Sequence, residues 1–365
     1  MNNWLKCKNI LIIRADNMGD VLMSSPAIYA LRETFDARLT LLTSSRGYEA
    51  GLVNPDLDHV ISCDLPWVKT GQEPDAAQVA NLVSFLAGYQ FDGCIIFTVY
   101  SQNPLPSAML AYMAGIPLRL AYCRENPYGL LTDWVPDCEP YELIRHQVNR
   151  DLGLVATIGA TAKYKNMRIC LDPDASVTAF MKLKRRGFNI AKPFILLNIS
   201  VSEPKRQYPM ECWAAAARRI IRDLRLPVLL TGTEEDAEAL KSLQSAIGAG
   251  AMSAAGLFSL PEFAFVIEHA AVVVSVNTGT VHLAAALQTP VVVLYAQTNP
   301  QHKPWMVPHV VLEYSIQEEQ KSKNKVIGFV DQKLYDKVVP LPNDLQVAEA
   351  VRRMLQFKKQ CIYLF

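Results

Sequence analysis

Four short apolar runs rich in β-branched residues, at 10–13, 194–199, 272–276 and 291–294, confine this chain to a narrow set of folds. Each is too short for a helix and too apolar for a half-exposed strand, so each reads as a parallel strand buried on both faces. Helical stretches at 21–32, 175–186, 211–223 and 344–357 alternate with them. That alternation belongs to parallel sheets with helices on both faces, an α/β class. Further strands are expected at 39–43, 93–99 and 228–231, and 110–114 reads as helix. After Pro300 the chain, with Pro304 and Pro308, reads as irregular until the last helix. No fixed-period repeat is visible. A chain of 365 residues is long enough for two domains, each with its own core. The first unit fades over 160–174 and the second opens near Phe194, which gives expected domains 1–175 and 176–365.

Composition removes several classes. Half the residues are hydrophobic and 19% are charged, ordinary for a globular chain and unlike a disordered one. No apolar run approaches the roughly 18 residues of a membrane span, and the N-terminus lacks the pattern of a signal peptide. The expectation is a cytoplasmic protein. Eight cysteines are scattered without a C-x-x-C pair, so reduced, mostly buried thiols are expected. The six histidines form no ligand pattern, and no metal site is expected. A net charge of +1 gives no electrostatic case for nucleic acid. The balance is uneven, however. The first 175 residues carry 14 Lys and Arg against 19 Asp and Glu, and the remainder 22 against 16. A basic second half suits a nucleotide diphosphate. Part of its excess is the run 321–325, which reads as a solvated loop. The acidic first half gives no charge-based support for a phosphorylated acceptor.

Chemistry concentrates where strands turn into helices. The first strand runs into Arg14-Ala15-Asp16-Asn17-Met18-Gly19-Asp20-Val21. Gly19 permits a tight turn, and Asp20 falls at the carboxyl edge of a sheet, where open α/β folds bind ligands. A lone aspartate there reads first as a helix cap. The run Val272–Val276 ends in Asn277-Thr278-Gly279-Thr280-Val281-His282 and enters an Ala-rich helix. The free N–H groups of that helix start suit a phosphate, with hydroxyls from Thr278 and Thr280, and His282 within reach. As a purely structural feature, the same residues are a Thr cap and a buried histidine. No Walker-type lysine follows Gly279, which argues against a P-loop NTPase. After 194–199 comes the polar loop Ser200 to Arg206, containing Lys205 and Arg206 and also Ser202, and then Pro209 opens a helix. Basic residues at a strand's carboxyl end suit a diphosphate.

Together these segments resemble glycosyltransferase family 9, the bacterial lipopolysaccharide heptosyltransferases, from about residue 9 to 310. The resemblance implies a GT-B architecture, two Rossmann-like parallel-sheet domains facing a cleft, with the C-terminal helix returning to the first domain. It assigns the catalytic base to Asp20, with Met18 and Gly19 on the acceptor-side loop. It places Lys205, in Lys205-Arg206-Gln207-Tyr208-Pro209, against the donor diphosphate, with Ser200 and Ser202 in the same loop. It matches the donor segment to Asn277 through Ala285, with Thr278, Gly279 and the following backbone amides, Thr280 among them, on the pyrophosphate and His282 in the same segment, and gives the donor ribose to an acidic residue in 231–236, either Glu235 or Asp236. The family commonly has Asp where this chain has Asn277, and that residue often touches the sugar. The loop after Asn198 lacks the family's Pro-Gly. The segment 124–128, Arg124-Glu125-Asn126-Pro127-Tyr128, has no assigned role and reads as a loop brace.

The expected activity is that of an inverting, metal-independent glycosyltransferase without a cofactor. Its donor would be a nucleotide sugar of the ADP-heptose kind. Its acceptor would be a glycan or glycolipid such as the lipopolysaccharide core, and that implies peripheral contact with the inner membrane face. Asp20 would take the acceptor's proton, and Lys205 with the helix start at 278–280 would hold the leaving diphosphate. Two other classes stay open. A nucleotide-sugar epimerase of similar design would need no acceptor, and a non-catalytic nucleotide-sugar-binding protein would not depend on Asp20.

Overall fold

A computed structural model describes residues 3–69 and 75–362. The chain divides into two compact units, Met1–Cys170 and Leu171–Phe365. The first carries β1 (Asn9–Arg14), α1 (Met18–Thr34), β2 (Arg38–Thr43), α2 (Tyr48–Leu52), β3 (His59–Ser62), α3 (Ala76–Gly88), β4 (Gly93–Ile96), α4 (Leu105–Met113), β5 (Leu118–Cys123), β6 (Asp133–Pro136) and α5 (Gln147–Ala156). The second carries α6 (Pro173–Arg185), β7 (Ile195–Asn198), α7 (Met210–Leu224), β8 (Val228–Thr231), α8 (Ala237–Ile247), β9 (Ala251–Ser253), α9 (Leu260–His269), β10 (Val272–Val276), α10 (Gly279–Ala286), β11 (Val291–Ala296), β12 (His309–Tyr314), α11 (Lys325–Leu334) and α12 (Asp344–Ile362).

Each unit is built on one six-stranded sheet, ordered β3-β2-β1-β4-β5-β6 in the first and β12-β11-β10-β7-β8-β9 in the second. All ten pairings are parallel. The inner strands follow from their sequences. Ile10 to Ile13, Ile195 to Leu197 and Val272 to Val274 are all at most 1% exposed, as a strand covered by helices on both faces must be. The first core gathers Leu11, Ile13, Leu42, Leu86, Ile96 and Ile116. The second gathers Leu197, Leu230, Val274 and Leu294 with Trp213 and Ile220 of α7. The α12 residues Val347, Ala348, Val351 and Met354 belong to this second core, and α12 packs on α7 and on β10 to β12.

Several expectations need adjusting. The helix after β1 starts at Met18, because the N–H groups of Asp20 and Val21 already bond to the Asn17 carbonyl at 3.0 and 3.2 Å. Gly19 is therefore a buried residue of the first helical turn, not the hinge of a tight turn. The strand expected over 93–99 stops at Ile96. The stretch after Pro300 is not irregular, since it contains β12 and α11. Among the described residues the cysteines form no disulfide, but they are not mostly buried: Cys7, Cys94 and Cys123 are buried, Cys63, Cys138 and Cys212 half-buried and Cys170 exposed.

Candidate functional site

In both sheets the strand order reverses once, between β1 and β4 in the first and between β7 and β10 in the second. Neighbouring strands there send their following helices to opposite faces. The gap this leaves at the carboxyl ends is where open α/β sheets bind ligands. Three of the four segments singled out by sequence lie at these two points, after β1, β7 and β10, and the fourth follows β8, the neighbour of β7.

At the first point the Arg14 side chain is fully buried at the end of β1. Its Nη2 donates to Asp20 Oδ1 at 2.9 Å, and its Nε lies 3.3 Å from Asp16 Oδ2. Burial works against this guanidinium charge, but Asp16, Asp20 and Asp151 surround it and hold its proton more tightly. Burial pushes Asp16 up to about 6, with Arg14 pulling it down, Asp20 pushing it further up and a bond from Gln102 Nε2 at 2.5 Å also lowering it. Asp151 of α5 is likewise raised by burial to about 6, opposed by Arg14 and by bonds from Ser24 (2.7 Å) and Gln147 (2.8 Å). Asp20 thus sits in the first turn of α1 with its side chain 15% exposed and one oxygen fixed by a buried cation. Met18, two residues before it in the same turn, is half-buried.

At the second point α10 begins without a side-chain cap, Thr278 being extended at the cap position. The first N–H groups of a helix have no partner within it, so they are available to an anion. Thr278 and Gly279 are half-buried, whereas Thr280 is buried. A single 3-10 turn, Pro204–Arg206, faces this start. Arg206 Nη1 donates to the Asn277 carbonyl at 3.0 Å, and its buried Nε has no hydrogen-bond partner within the protein. Sequence reasoning names Arg206 with Lys205 as the basic pair of this loop but gives the diphosphate to Lys205. The signal was its place beside Lys205 in one loop, and sequence alone cannot say which of two adjacent basic residues turns inward. Lys205 Nζ pairs with Glu203 Oε2 at 2.9 Å. It also lies near Asp331 of α11, whose carboxyl is raised by burial and drawn back down by Lys321 and Lys205.

The remaining candidates divide between exposed groups and braces. Asp236 Oδ2 accepts from the Thr233 amide at 2.8 Å, the Thr233 hydroxyl at 2.9 Å and Ser200 Oγ at 2.5 Å, closing a capping box. Gly232 is required there, since a Cβ would come within 2.8 Å of that oxygen. Glu235 and Ser202 are exposed. Asn277 is 7% exposed, and its amide is committed at both ends. Nδ2 donates to the Ala296 carbonyl (3.2 Å) and Thr298 Oγ1 (2.9 Å), and Oδ1 accepts from the Ala296 amide (3.2 Å). His282 is buried, edge-on to His302 with ring centroids 6.0 Å apart.

Two doubly wound parallel sheets, one ending in a helix start without a side-chain cap and with a half-buried arginine beside it, define an α/β protein of the Rossmann-like class. The chain belongs to glycosyltransferase family 9 (heptosyltransferase), whose family model matches residues 79–335. That match begins after the β1–α1 segment, so it does not reach Asp20. Lipopolysaccharide heptosyltransferase 2 of Salmonella typhimurium is 28% identical over 212 residues, covering 55% of this chain and 60% of that protein. Its Escherichia coli counterpart is 27% identical over the same shares. The matched region thus spans about 60% of the length of these relatives. Among solved structures, a family 9 glycosyl transferase from Veillonella parvula superposes with a TM-score of 0.76 at 18% identity, over 96% of this chain and 97% of that one. E. coli ADP-heptose lipopolysaccharide heptosyltransferase II gives 0.71 at 20% identity, over 96% and 99%. The fold is that of these GT-B proteins, two Rossmann-like domains in one chain.

Proposed function

We propose that this chain is an inverting, metal-independent glycosyltransferase that moves heptose from ADP-heptose onto a lipopolysaccharide-core or other surface-glycan acceptor. The observation that carries the donor half is the Arg206 Nε, buried without a partner beside the uncapped start of α10. A diphosphate satisfies both. It accepts from the helix N–H groups and from Arg206 and Lys205, with hydroxyls from Thr278 and Thr280. Glu235 takes the ribose, while Asp236, Ser200 and Asn277 hold the surrounding turns in place, and His282 backs the helix start. Support for adenine as the base comes from E. coli heptosyltransferases solved with ADP and with ADP-2-deoxy-2-fluoro heptose.

The first unit holds the acceptor and presents Asp20. The acceptor oxygen attacks the anomeric carbon as its proton passes to the Asp20 carboxylate, and the bond from that carbon to the diphosphate oxygen breaks. Attack opposite the leaving group inverts the centre. Charge gathers on the departing diphosphate, where two cationic side chains and a helix N-terminus stabilise it in the role a metal ion fills elsewhere.

Calorimetry across ADP-, GDP- and UDP-sugars, followed by transfer assays with and without EDTA, tests this. ADP-heptose should bind tightest and be consumed only when an acceptor is present, with EDTA indifferent. Preference for a UDP-sugar, consumption without acceptor, or strict restoration by Mg²⁺ would each overturn the corresponding part.

A further inference from the structure

Three carboxylates crowd one guanidinium at the end of β1. Arg14 is fully buried, and Asp16, Asp20 and Asp151 all act on its charge. An ion pair serving stability alone would need one carboxylate for the one cation. Each further buried carboxylate costs solvation that a single guanidinium does not return in full. Asp151 has bonds of its own, from Ser24 at 2.7 Å and Gln147 at 2.8 Å, and these tie α1 to α5. Asp16 makes no such tie between helices, although burial pushes its carboxyl up to about 6.

The loop that carries Asp16 does not need this side chain to keep its shape. Ser44 Oγ donates to the Asp16 carbonyl at 2.6 Å, and the Asn17 carbonyl takes the Asp20 and Val21 amides at 3.0 and 3.2 Å. Both carboxylate oxygens are engaged inside the protein. Oδ1 accepts from Gln102 Nε2 at 2.5 Å, and Oδ2 lies 3.3 Å from Arg14 Nε. Gln102 is fixed in turn by the Val99 amide, which donates to its Oε1 at 3.0 Å. Asp16 is thus clamped between the segment after β4 and the guanidinium of β1. That guanidinium is planar and carries its N–H groups in a rigid fork, so holding Nε sets the direction of Nη2. Nη2 donates to Asp20 Oδ1 at 2.9 Å.

We propose that Asp16, with Gln102 behind it, is a positioning residue. It locks the Arg14 guanidinium so that Asp20 is held in the direction from which it takes the acceptor's proton. This rests on the glycosyltransferase reading above, with Asp20 as the base. Asp16 touches neither substrate, so its removal acts on turnover and spares binding.

The test uses the full chain with ADP-heptose as donor and core-truncated lipopolysaccharide as acceptor. Asp16→Asn keeps the side chain's shape and removes its charge, and Gln102→Met removes the outer clamp at a half-buried position. Asp16→Asn should lower kcat at least about tenfold with both KM values within about twofold, because a displaced base costs rate without costing binding. Gln102→Met should lower kcat in the same sense by about threefold, the scale of one lost hydrogen bond. Both changes are then repeated in the Asp20→Asn protein. There each should cost less than about twofold, since residues that act through Asp20 have no base left to place. A merely structural role gives equal losses in the two backgrounds, and that result would overturn the proposal. So would wild-type kcat in Asp16→Asn. Should Asp16→Asn fail to fold, as read from urea unfolding, the Gln102→Met pair decides in the same way. Wild-type turnover in Asp20→Asn alone would strike the base reading and this proposal with it, an outcome distinct from the other two.

Discussion

Asp20 occupies the third position of α1, and what distinguishes it from a cap is the buried Arg14 that fixes one of its oxygens. Asp20→Asn keeps an oxygen for Arg14 to bond, and Arg14 keeps Asp16, so folding and ADP binding should hold. Loss of the base should slow transfer by at least about 10²-fold, whereas a cap alone would cost only about 0.5–2 kcal/mol of stability. Wild-type turnover in the Asn protein would remove Asp20 from the chemistry. In the donor half, Lys205→Ala should weaken ADP binding by about 1.5–3 kcal/mol, the scale of a hydrogen bond between charged groups. Glu203→Gln should strengthen it, because Glu203 holds the Lys205 ammonium at 2.9 Å in competition with the diphosphate. An unchanged Kd in both would place Lys205 outside the site. Asp151 supplies a pH dependence. Its folded pKa, raised by burial from 3.8 to about 6, means that its stabilising contribution is complete below 3.8 and is lost as pH rises through about 6. Asp151→Asn should remove a fall of order 2–3 kcal/mol between those limits, read from urea unfolding at several pH values. Equal slopes in the two proteins would refute the assignment.

The turn from β10 into α10 is fixed at element scale by Asn277, whose amide donates to the Ala296 carbonyl and accepts from the Ala296 amide. A carboxylate at that position turns a donor into an acceptor facing a carbonyl. Asn277→Asp should therefore cost about 1–3 kcal/mol of stability, the scale of an unsatisfied buried group, with the donor-sugar preference unchanged. A shifted sugar preference at unchanged stability would return Asn277 to direct sugar contact. Strands show the same contrast between local and distant causes. β8 and β10 begin and end where the apolar runs 228–231 and 272–276 do, because a strand covered on both faces needs an unbroken apolar segment. The inner strand β5 escaped the sequence reading, as did the four outer strands β3, β6, β9 and β12. Each outer strand pairs on one side only, and most of their residues are only partly covered, as in Asp133–Pro136 and Ala251–Ser253. Their sequences lack the continuous run that marks an inner strand.

The whole molecule is two sheets with two separate cores, and among the described residues no helix is long and apolar enough to cross a membrane. Because α12 completes the core of its own unit, residues 171–365 alone should fold cooperatively and bind ADP within about threefold of the full chain. An unfolded fragment, or one without ADP affinity, would show that the first unit is needed to build the donor site. The sequence by itself determined the α/β class, the inner strands other than β5 and the turns on which chemistry concentrates. Apolar runs, helical periodicity and Gly or Thr at strand ends are local properties that the residues carry with them. Only the tertiary structure decided which polar side chain at each turn is offered to a ligand and which is a brace. It brought Ser24 to Asp151 across 127 positions and Arg206 to Asn277 across 71, turned Asp236 onto Ser200, and left Arg206 Nε without a partner. A buried polar group must find its hydrogen-bond partner in space, and the partner's distance along the chain leaves no mark on the local sequence.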